Sequence, residues 1–157
     1  MTNDIIGAQV AGAIKNVIAI ACGIAQGLGL GESARAALVT RGLAEISRLT
    51  VALGGHRETL MGQCGVGDMM LTCSSMKSRN FSCGIELAQG KTMQQIIDSR
   101  NSVTEGITTA KAAVFLTEKY NVDMPIVTSV YNCLYNGLSV RDAVTAILNR
   151  PARHEGE

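Results

Sequence analysis

IGAQVAGAIKNVIAIACGI, residues 6–24, is the stretch that decides the fold of this chain. It lies within a longer apolar run, residues 4–27, that predicts one long helix. Its many Ala and Gly residues suit close packing between helices. Lys15 is the only charged residue between Asp4 and Glu32, and an isolated ammonium in apolar surroundings is costly unless it has partners or a task. The chain is therefore predicted to fold around a helix that carries one exceptional charge.

Three interpretations of Lys15 are open. A lysine in an apolar helix often buries its stem and extends its ammonium into water. A membrane span needs about 20 apolar residues, but Gln9, Asn16 and Gln26 interrupt this run and a central lysine costs roughly 3 kcal/mol on insertion scales. We also expect no signal peptide. The third interpretation is a functional lysine on a core-facing helix, because burial favours the neutral amine of a lysine and so brings proton exchange towards neutral pH.

Bulk composition limits the class of protein. A chain of 157 residues, 46% of them hydrophobic, is long enough for one domain with a sizeable core. The formal charge of +1 argues against a general nucleic-acid or anionic-membrane binder, since both need an excess of basic residues. The five cysteines form no C-x-x-C pair and only two histidines are present. We therefore expect reduced, mostly buried thiols, a cytoplasmic location and no metal site.

Helical periodicity dominates the rest of the chain, whereas strand-like alternation is rare. Glu45 is placed on the polar surface of the second helix. Residues 1–150 are predicted to form one all-α, compact multi-helix bundle, and residues 151–157 a disordered tail. The predicted helices cover residues 4–27, 32–53, 57–63, 79–89, 92–99, 104–120 and 125–136, with a further helix after the turn at 65–72 and a last one capped by Ser139.

Two clusters of polar residues could carry acid–base chemistry. Lys15 and Asn16 lie side by side in the first helix. Asp68 and Thr72 are four residues apart, so on a helix they would share a face. The structural alternative for Asp68, which follows a glycine, is a helix cap. For Thr72 it is a side chain that only packs against a neighbouring helix.

Two further clusters stand at predicted helix starts. Ser78-Arg79-Asn80 brings together a hydroxyl, a guanidinium and an amide. This combination suits a phosphate, because arginine forms paired hydrogen bonds and the helix N-terminus offers free N–H groups. A solvated turn is the alternative. Glu105 begins another helix, where its charge suits the helix dipole and a capping role is the alternative.

Taken together, these clusters resemble a known family. The motifs, in chain order, are GAIKNVIAI (12–20), GLGLG (27–31), TRGLAE (40–45), CGVGDMMLTC (64–73), SRN (78–80) and VTEG (103–106). From about Ile5 to Arg150 they are similar to the C-terminal, substrate-binding and catalytic half of the bacterial type of NAD(P)-dependent glycerol-3-phosphate dehydrogenase. The resemblance implies a bundle of the 6-phosphogluconate dehydrogenase C-terminal-like type. It also implies an enzyme that interconverts sn-glycerol 3-phosphate and dihydroxyacetone phosphate and feeds glycerophospholipid synthesis.

The resemblance implies a role for each matching residue. Lys15 corresponds to the family's catalytic lysine. The polar groups implied around the reacting hydroxyl or carbonyl are Asn16, Asp68 and Thr72. The implied substrate-binding residues are Lys15, Asp68, Ser78, Arg79 and Asn80. The implied cofactor-binding residues are Arg79, Val103 and Glu105.

The resemblance also implies an N-terminal dinucleotide-binding domain, which is absent from these 157 residues. Such a domain carries a Gly-rich turn between a strand and a helix, whereas Gly27–Gly31 falls between two predicted helices. We therefore expect a fragment that folds but is inactive alone, with NAD or NADP bound mainly by the absent Rossmann domain. The implied partners are glycerol 3-phosphate and dihydroxyacetone phosphate, with no nucleic acid and no membrane span. The implied assembly is a homo-oligomer, namely a dimer.

Two other functions stay open. One is a non-enzymatic helical module that binds a phosphorylated metabolite or mediates oligomerisation. The other is a two-domain dehydrogenase of the 3-hydroxyisobutyrate type, which also has a helical C-terminal half. The triplet at 78–80 and the Gly67-Asp68 turn favour the glycerol phosphate resemblance over this rival.

Overall fold

The computed structural model describes residues 2–150, which form eight α-helices and no strand. The prediction of an all-α bundle is therefore confirmed. The predicted tail, residues 151–157, lies outside the described residues. The helices are α1 (Ile5–Gly27), α2 (Gly31–Ala52), α3 (Asp68–Ser74), α4 (Arg79–Ala88), α5 (Met93–Asp98), α6 (Glu105–Tyr120), α7 (Pro125–Tyr135) and α8 (Val140–Leu148), with a 3₁₀-helix (Arg57–Met61) and a π-helical turn (Gln63–Gly67) between α2 and α3.

Helix α1 is the central element of the bundle. It packs against α2, α3, α4, α6 and α7, and Val17, Ile18 and Ile20 are fully buried along it. Within residues 2–150, α1 is also the one helix long and apolar enough to cross a membrane, but 61% of its most apolar window is buried by the other helices. The apolar run therefore serves as the inside of the bundle.

Several helix ends agree with their sequence signals. Ser78 and Ser139 accept hydrogen bonds from backbone N–H groups of the helices they precede. Thr92 forms a full capping box at the start of α5, and Pro125 occupies the first turn of α7, where its missing N–H costs nothing. Local chemistry therefore fixes where these helices begin.

The segment predicted as one short helix over residues 57–63 differs from the prediction. The 3₁₀-helix covers only Arg57–Met61 of it. The π-helical turn Gln63–Gly67 and the start of α3 at Asp68 cover residues 65–72, for which the sequence predicts a turn. Gly65 lies so close to the backbone of Leu60 that a Cβ atom at residue 65 would stand 2.1 Å from the carbonyl oxygen of Leu60. Only glycine permits this close approach. The tight turn places Asp68 as the first residue of α3.

The prediction that Glu45 lies on the polar surface of α2 is wrong, because Glu45 is buried. Its side chain is 1% exposed. Its carboxylate oxygens accept hydrogen bonds from the backbone N–H groups of Ile126 at 2.7 Å and Val127 at 3.2 Å. These N–H groups lie in the first turn of α7, where no partner exists within the helix itself. Glu45 therefore caps α7 from the neighbouring helix α2.

Burial raises the pKa of Glu45 from its ordinary value of 4.5 to about 7. The two N–H donors and Arg48 oppose this rise, and Asp123 adds to it. Since the pKa is higher in the folded state, the folded protein binds the proton more tightly than the unfolded chain. The favourable contribution is complete below about pH 4.5 and is lost as the pH rises to about 7.

We expect Glu45→Gln to remove this pH dependence. Between pH 4.5 and 7.5 the free energy of unfolding of the unsubstituted protein should fall relative to that of the variant, by up to about 3 kcal/mol. Urea denaturation at both pH values measures this difference. Glu118→Gln, which changes an exposed carboxylate on α6, is the control for loss of charge. A difference that stays constant between the two pH values would contradict the prediction.

Candidate functional site

Lys15 and Asp68 form an ion pair between α1 and the start of α3. The Nζ atom of Lys15 donates to the Oδ2 atom of Asp68. The Lys15 side chain is 19% exposed and that of Asp68 is 37% exposed, so the pair is partly shielded yet open to a ligand. A carboxylate at a helix start also suits the dipole of that helix. The single charge of the apolar helix therefore has a specific partner.

Thr72 lies one turn further along α3. Its hydroxyl donates to the backbone oxygen of Asp68 at 2.7 Å and lies 3.5 Å from the Oδ1 atom of the same residue. The fold thus brings Lys15, Asp68 and Thr72 into one group. Thr72 contacts the lysine only through the aspartate in this arrangement.

Asn16 and Asn80 form the centre of a chain of hydrogen bonds through α1, α4 and α6. The Nδ2 atom of Asn16 donates to the Oε2 atom of Glu105 at 3.1 Å. The Nδ2 atom of Asn80 donates to the Oδ1 atom of Asn16 at 3.0 Å, and the Gly106 N–H donates to the Oδ1 atom of Asn80 at 2.8 Å. Both asparagines are buried, and the amide oxygen and the amide nitrogen of each form a hydrogen bond to a protein group. This chain fixes three helices around the lysine.

The start of α4 presents a basic side chain next to free helix N–H groups. Ser78 caps the helix, with its Oγ atom accepting from the Phe81 N–H at 3.3 Å. The Arg79 side chain is exposed, and its guanidinium makes no hydrogen bond among the described residues. The backbone oxygen of Arg79, in contrast, accepts a hydrogen bond from Arg100 at 2.7 Å. A cationic side chain at a helix N-terminus is a suitable arrangement for a phosphate.

Val103 and Glu105 flank the residue that precedes α6. Val103 is 68% exposed and borders a cavity of about 360 Å³ that is also lined by Arg100 and Thr108. The Glu105 carboxylate is held by Asn16. An apolar side chain at this cavity suits a planar ring of a larger ligand, and the fixed carboxylate of Glu105, two residues along the chain, suits a polar group.

Two residues with important contacts were not singled out from the sequence, namely Glu45 and Arg100. Glu45 follows Leu38 and Gly42 at helical spacing and precedes Leu49, so its position on the buried face of α2 was available from the sequence. Arg100 stands in a polar loop without any periodicity, and no local signal identifies it.

The described residues contain no group of three or more His, Cys, Asp or Glu side chains that could hold a metal ion. All five cysteines are free thiols, three of them buried and two half-buried. Burial raises the pKa of Cys83 and of Cys133 to about 11. These thiols therefore stay protonated near neutral pH and act as small apolar groups.

Comparison with known proteins agrees with the resemblance seen in the motifs. A family model described as NAD-dependent glycerol-3-phosphate dehydrogenase C-terminus matches residues 4–145. Glycerol-3-phosphate dehydrogenase [NAD(P)+] of Rhodospirillum rubrum is 51% identical over 155 residues, which cover 99% of this chain and 44% of that protein. The protein of the same name from Bacillus cytotoxicus is 48% identical over 98% of this chain and 45% of its own length. The chain thus spans about half the length of the curated relatives it matches.

Solved structures give the same result. The crystal structure of glycerol-3-phosphate dehydrogenase from Coxiella burnetii matches with a TM-score of 0.92 and 39% identity, over 95% of this chain and 46% of that one. The enzyme from Saccharomyces cerevisiae matches with a TM-score of 0.83 and 28% identity, over 94% of this chain and 43% of that one. The motif resemblance is confirmed, and the chain belongs to the family formed by the C-terminal part of NAD-dependent glycerol-3-phosphate dehydrogenase.

Proposed function

We propose that this chain is the substrate-binding and catalytic part of an enzyme that interconverts sn-glycerol 3-phosphate and dihydroxyacetone phosphate with NAD(P). One observation carries the proposal: the lone charge of the central helix, Lys15, is partly buried and bonded to Asp68. A non-enzymatic helical module would have no need for a shielded ammonium–carboxylate pair, whose desolvation is costly.

Lys15 is the proposed proton donor and acceptor of the reaction. When the ketone is reduced, negative charge develops on its oxygen, and the ammonium stabilises this charge and transfers a proton to it. In the opposite direction the neutral amine accepts the hydroxyl proton. Asp68 orients the amine, and Thr72 fixes Asp68 through its backbone and carboxylate oxygens. The Asn16–Asn80 pair holds α1 and α4 in register so that the lysine meets the substrate.

Ser78 and Arg79 are the proposed phosphate-binding residues. The guanidinium offers paired, charge-assisted hydrogen bonds, and the first turn of α4 adds N–H groups. Asn80 retains one amide hydrogen for the substrate after its bonds to Asn16 and Gly106 are counted. Binding of the distant phosphate thereby positions the reacting carbon near the amine.

NAD or NADP supplies or accepts the hydride when bound. Three residues of this chain fit such a cofactor. The Arg79 cation suits the negative charge of the cofactor, the exposed Val103 suits the face of an apolar ring, and the Glu105 carboxylate suits a polar group. We assign the larger part of the cofactor site to a region corresponding to the part of the relatives that this chain does not match.

We further propose that the enzyme works in the cytoplasm as a homodimer and that its glycerol 3-phosphate feeds glycerophospholipid synthesis. Native mass measurement and cell fractionation test the assembly and the location.

A fusion protein tests the function. This chain replaces the matched C-terminal part of the Rhodospirillum rubrum relative, and oxidation of NADH or NADPH by dihydroxyacetone phosphate is followed. We expect turnover by the fusion and none by the chain alone. A folded fusion that binds the cofactor but shows no turnover would overturn the proposal.

In the same fusion, we expect Arg79→Ala to raise the KM for dihydroxyacetone phosphate about 30-fold, because a charged hydrogen bond to phosphate contributes about 2 kcal/mol. Lys77→Ala, which removes the neighbouring exposed cation, is the matched control and should leave this KM nearly unchanged. Equal effects of the two substitutions would show general charge attraction instead of a specific phosphate contact.

A further inference from the structure

Arg100 is a largely buried cation in the loop between α5 and α6, with 13% of its side chain exposed. Its Nη1 atom donates to the backbone oxygen of Arg79 at 2.7 Å and to the Oγ1 atom of Thr104 at 3.0 Å. Its Nη2 atom donates to the Oγ atom of Ser82 at 3.0 Å and to the Oε1 atom of Glu86 at 2.5 Å. One guanidinium thus contacts both the first turn of α4 and the residue that precedes α6.

These contacts hold their partners in a fixed geometry. A guanidinium is planar, and its N–H groups point in set directions, so two acceptors on one nitrogen are held at a constant separation. Thr104 is buried, with 6% of its surface exposed, and its side chain forms no cap bond to α6. Its hydroxyl is therefore committed to Arg100. The Glu86 carboxylate neutralises the cation and makes the arrangement stable at low exposure.

We propose that Arg100 is a positioning residue that sets the Arg79 end of α4 relative to Val103 and Glu105 at the start of α6. The proposal rests on the proposed function, in which Arg79 holds the phosphate and the other two residues face the cofactor. Arg100 touches neither ligand in this scheme. It acts by keeping the phosphate site and the cofactor site at one separation, so that Arg79 meets the substrate phosphate when the cofactor is bound.

A second hydrogen bond also links α4 and α6, so substitution of Arg100 should not unfold the protein. The Gly106 N–H donates to Asn80 independently of Arg100. Arg100→Lys keeps the positive charge beside Glu86 but offers a single nitrogen. That nitrogen cannot replace both Nη1, which reaches Arg79 and Thr104, and Nη2, which reaches Ser82 and Glu86. The matched control is Lys91→Ala, because Lys91 pairs with the same Glu86 at 2.9 Å and forms no described bond to α6.

The first experiment uses amide hydrogen exchange on this chain and does not depend on activity. In Arg100→Lys we expect the Gly106 and Ile107 amides, whose acceptors are Asn80 and Thr104, to exchange at least about tenfold faster than in the unsubstituted chain. Lys91→Ala should leave both rates unchanged. Unchanged rates in Arg100→Lys would overturn the proposal whatever the enzyme does.

The second experiment measures kinetics in the fusion protein. We expect Arg100→Lys to raise the KM for dihydroxyacetone phosphate about tenfold with kcat within about twofold, and to add little in an Arg79→Ala background, because it acts through Arg79. Additive effects would overturn the proposal.

Two further outcomes keep the test decisive. Where the unsubstituted fusion has no turnover, the proposed function fails and the exchange rates alone decide the role of Arg100. Where Arg100→Lys does not fold, Thr104→Val removes only the contact to the α6 end. This variant should produce the same faster exchange at Gly106 and the same rise in KM, and the absence of both changes would overturn the proposal.

Discussion

Replacing Lys15 by methionine in the fusion protein should lower kcat for dihydroxyacetone phosphate reduction by about 10³-fold or more. Methionine keeps the length and apolar stem of lysine but cannot donate a proton or stabilise a developing alkoxide. Asp68, which is 37% exposed, can be solvated by water once its partner is removed, so the fold should persist. Steady-state kinetics, with circular dichroism to establish folding, measure the effect.

Lys15→Arg separates proton transfer from charge. Arginine can still pair with Asp68, but its guanidinium is not deprotonated in proteins. We therefore expect this variant to be nearly as inactive as Lys15→Met. Lys111→Met, which changes an exposed lysine on α6, should have full activity. Substantial turnover by Lys15→Arg would mean that positive charge suffices and that another group transfers the proton.

The limits of sequence reasoning in this fold follow from the range of the interactions involved. Helix starts at Ser78, Thr92 and Ser139 were predictable because their caps depend on residues within one turn. The 3₁₀ and π turns before α3 were not, because they depend on the close approach of Gly65 to the backbone of Leu60. Glu45 was misplaced because charged residues are expected outside, although its spacing pointed to the buried face of α2.

In the candidate site, too, local features were predictable from the sequence and long-range contacts were not. Lys15 was conspicuous from local composition alone. Its partner Asp68 is 53 residues away, and Asn16 and Glu105 are separated by 89 residues. Local spacing identified these residues as separate candidates, but no periodicity links such distant residues, and only the family resemblance grouped them into one site. Arg100 had neither a local pattern nor a matching motif, and only the folded arrangement of α4 and α6 reveals its contacts.

Helices α1 and α4 pack backbone against backbone at two glycines, and the stability of the fold depends on this contact. Gly84 on α4 faces α1 so closely that a Cβ atom there would stand 2.0 Å from the backbone oxygen of Ile20 and 2.7 Å from the backbone nitrogen of Ile24. Gly23 on α1 meets α4 in the same way, with its Cβ position 2.0 Å from the backbone oxygen of Phe81. Both obstacles are backbone atoms, which cannot rotate aside. A single methyl group therefore forces the two helices apart.

Gly84→Ala should accordingly lower the free energy of unfolding by about 3 kcal/mol or more. Gly12→Ala is the matched control, because Gly12 lies in α1 and a Cβ atom there would meet nothing within 4 Å. This control should be neutral or up to about 1 kcal/mol more stable, since alanine favours helices. Urea denaturation compares the two, and equal stability would show that α1 and α4 can separate freely. Because α4 carries Arg79 and α1 carries Lys15, any separation that the fold tolerates must also move Arg79 away from the Lys15 amine.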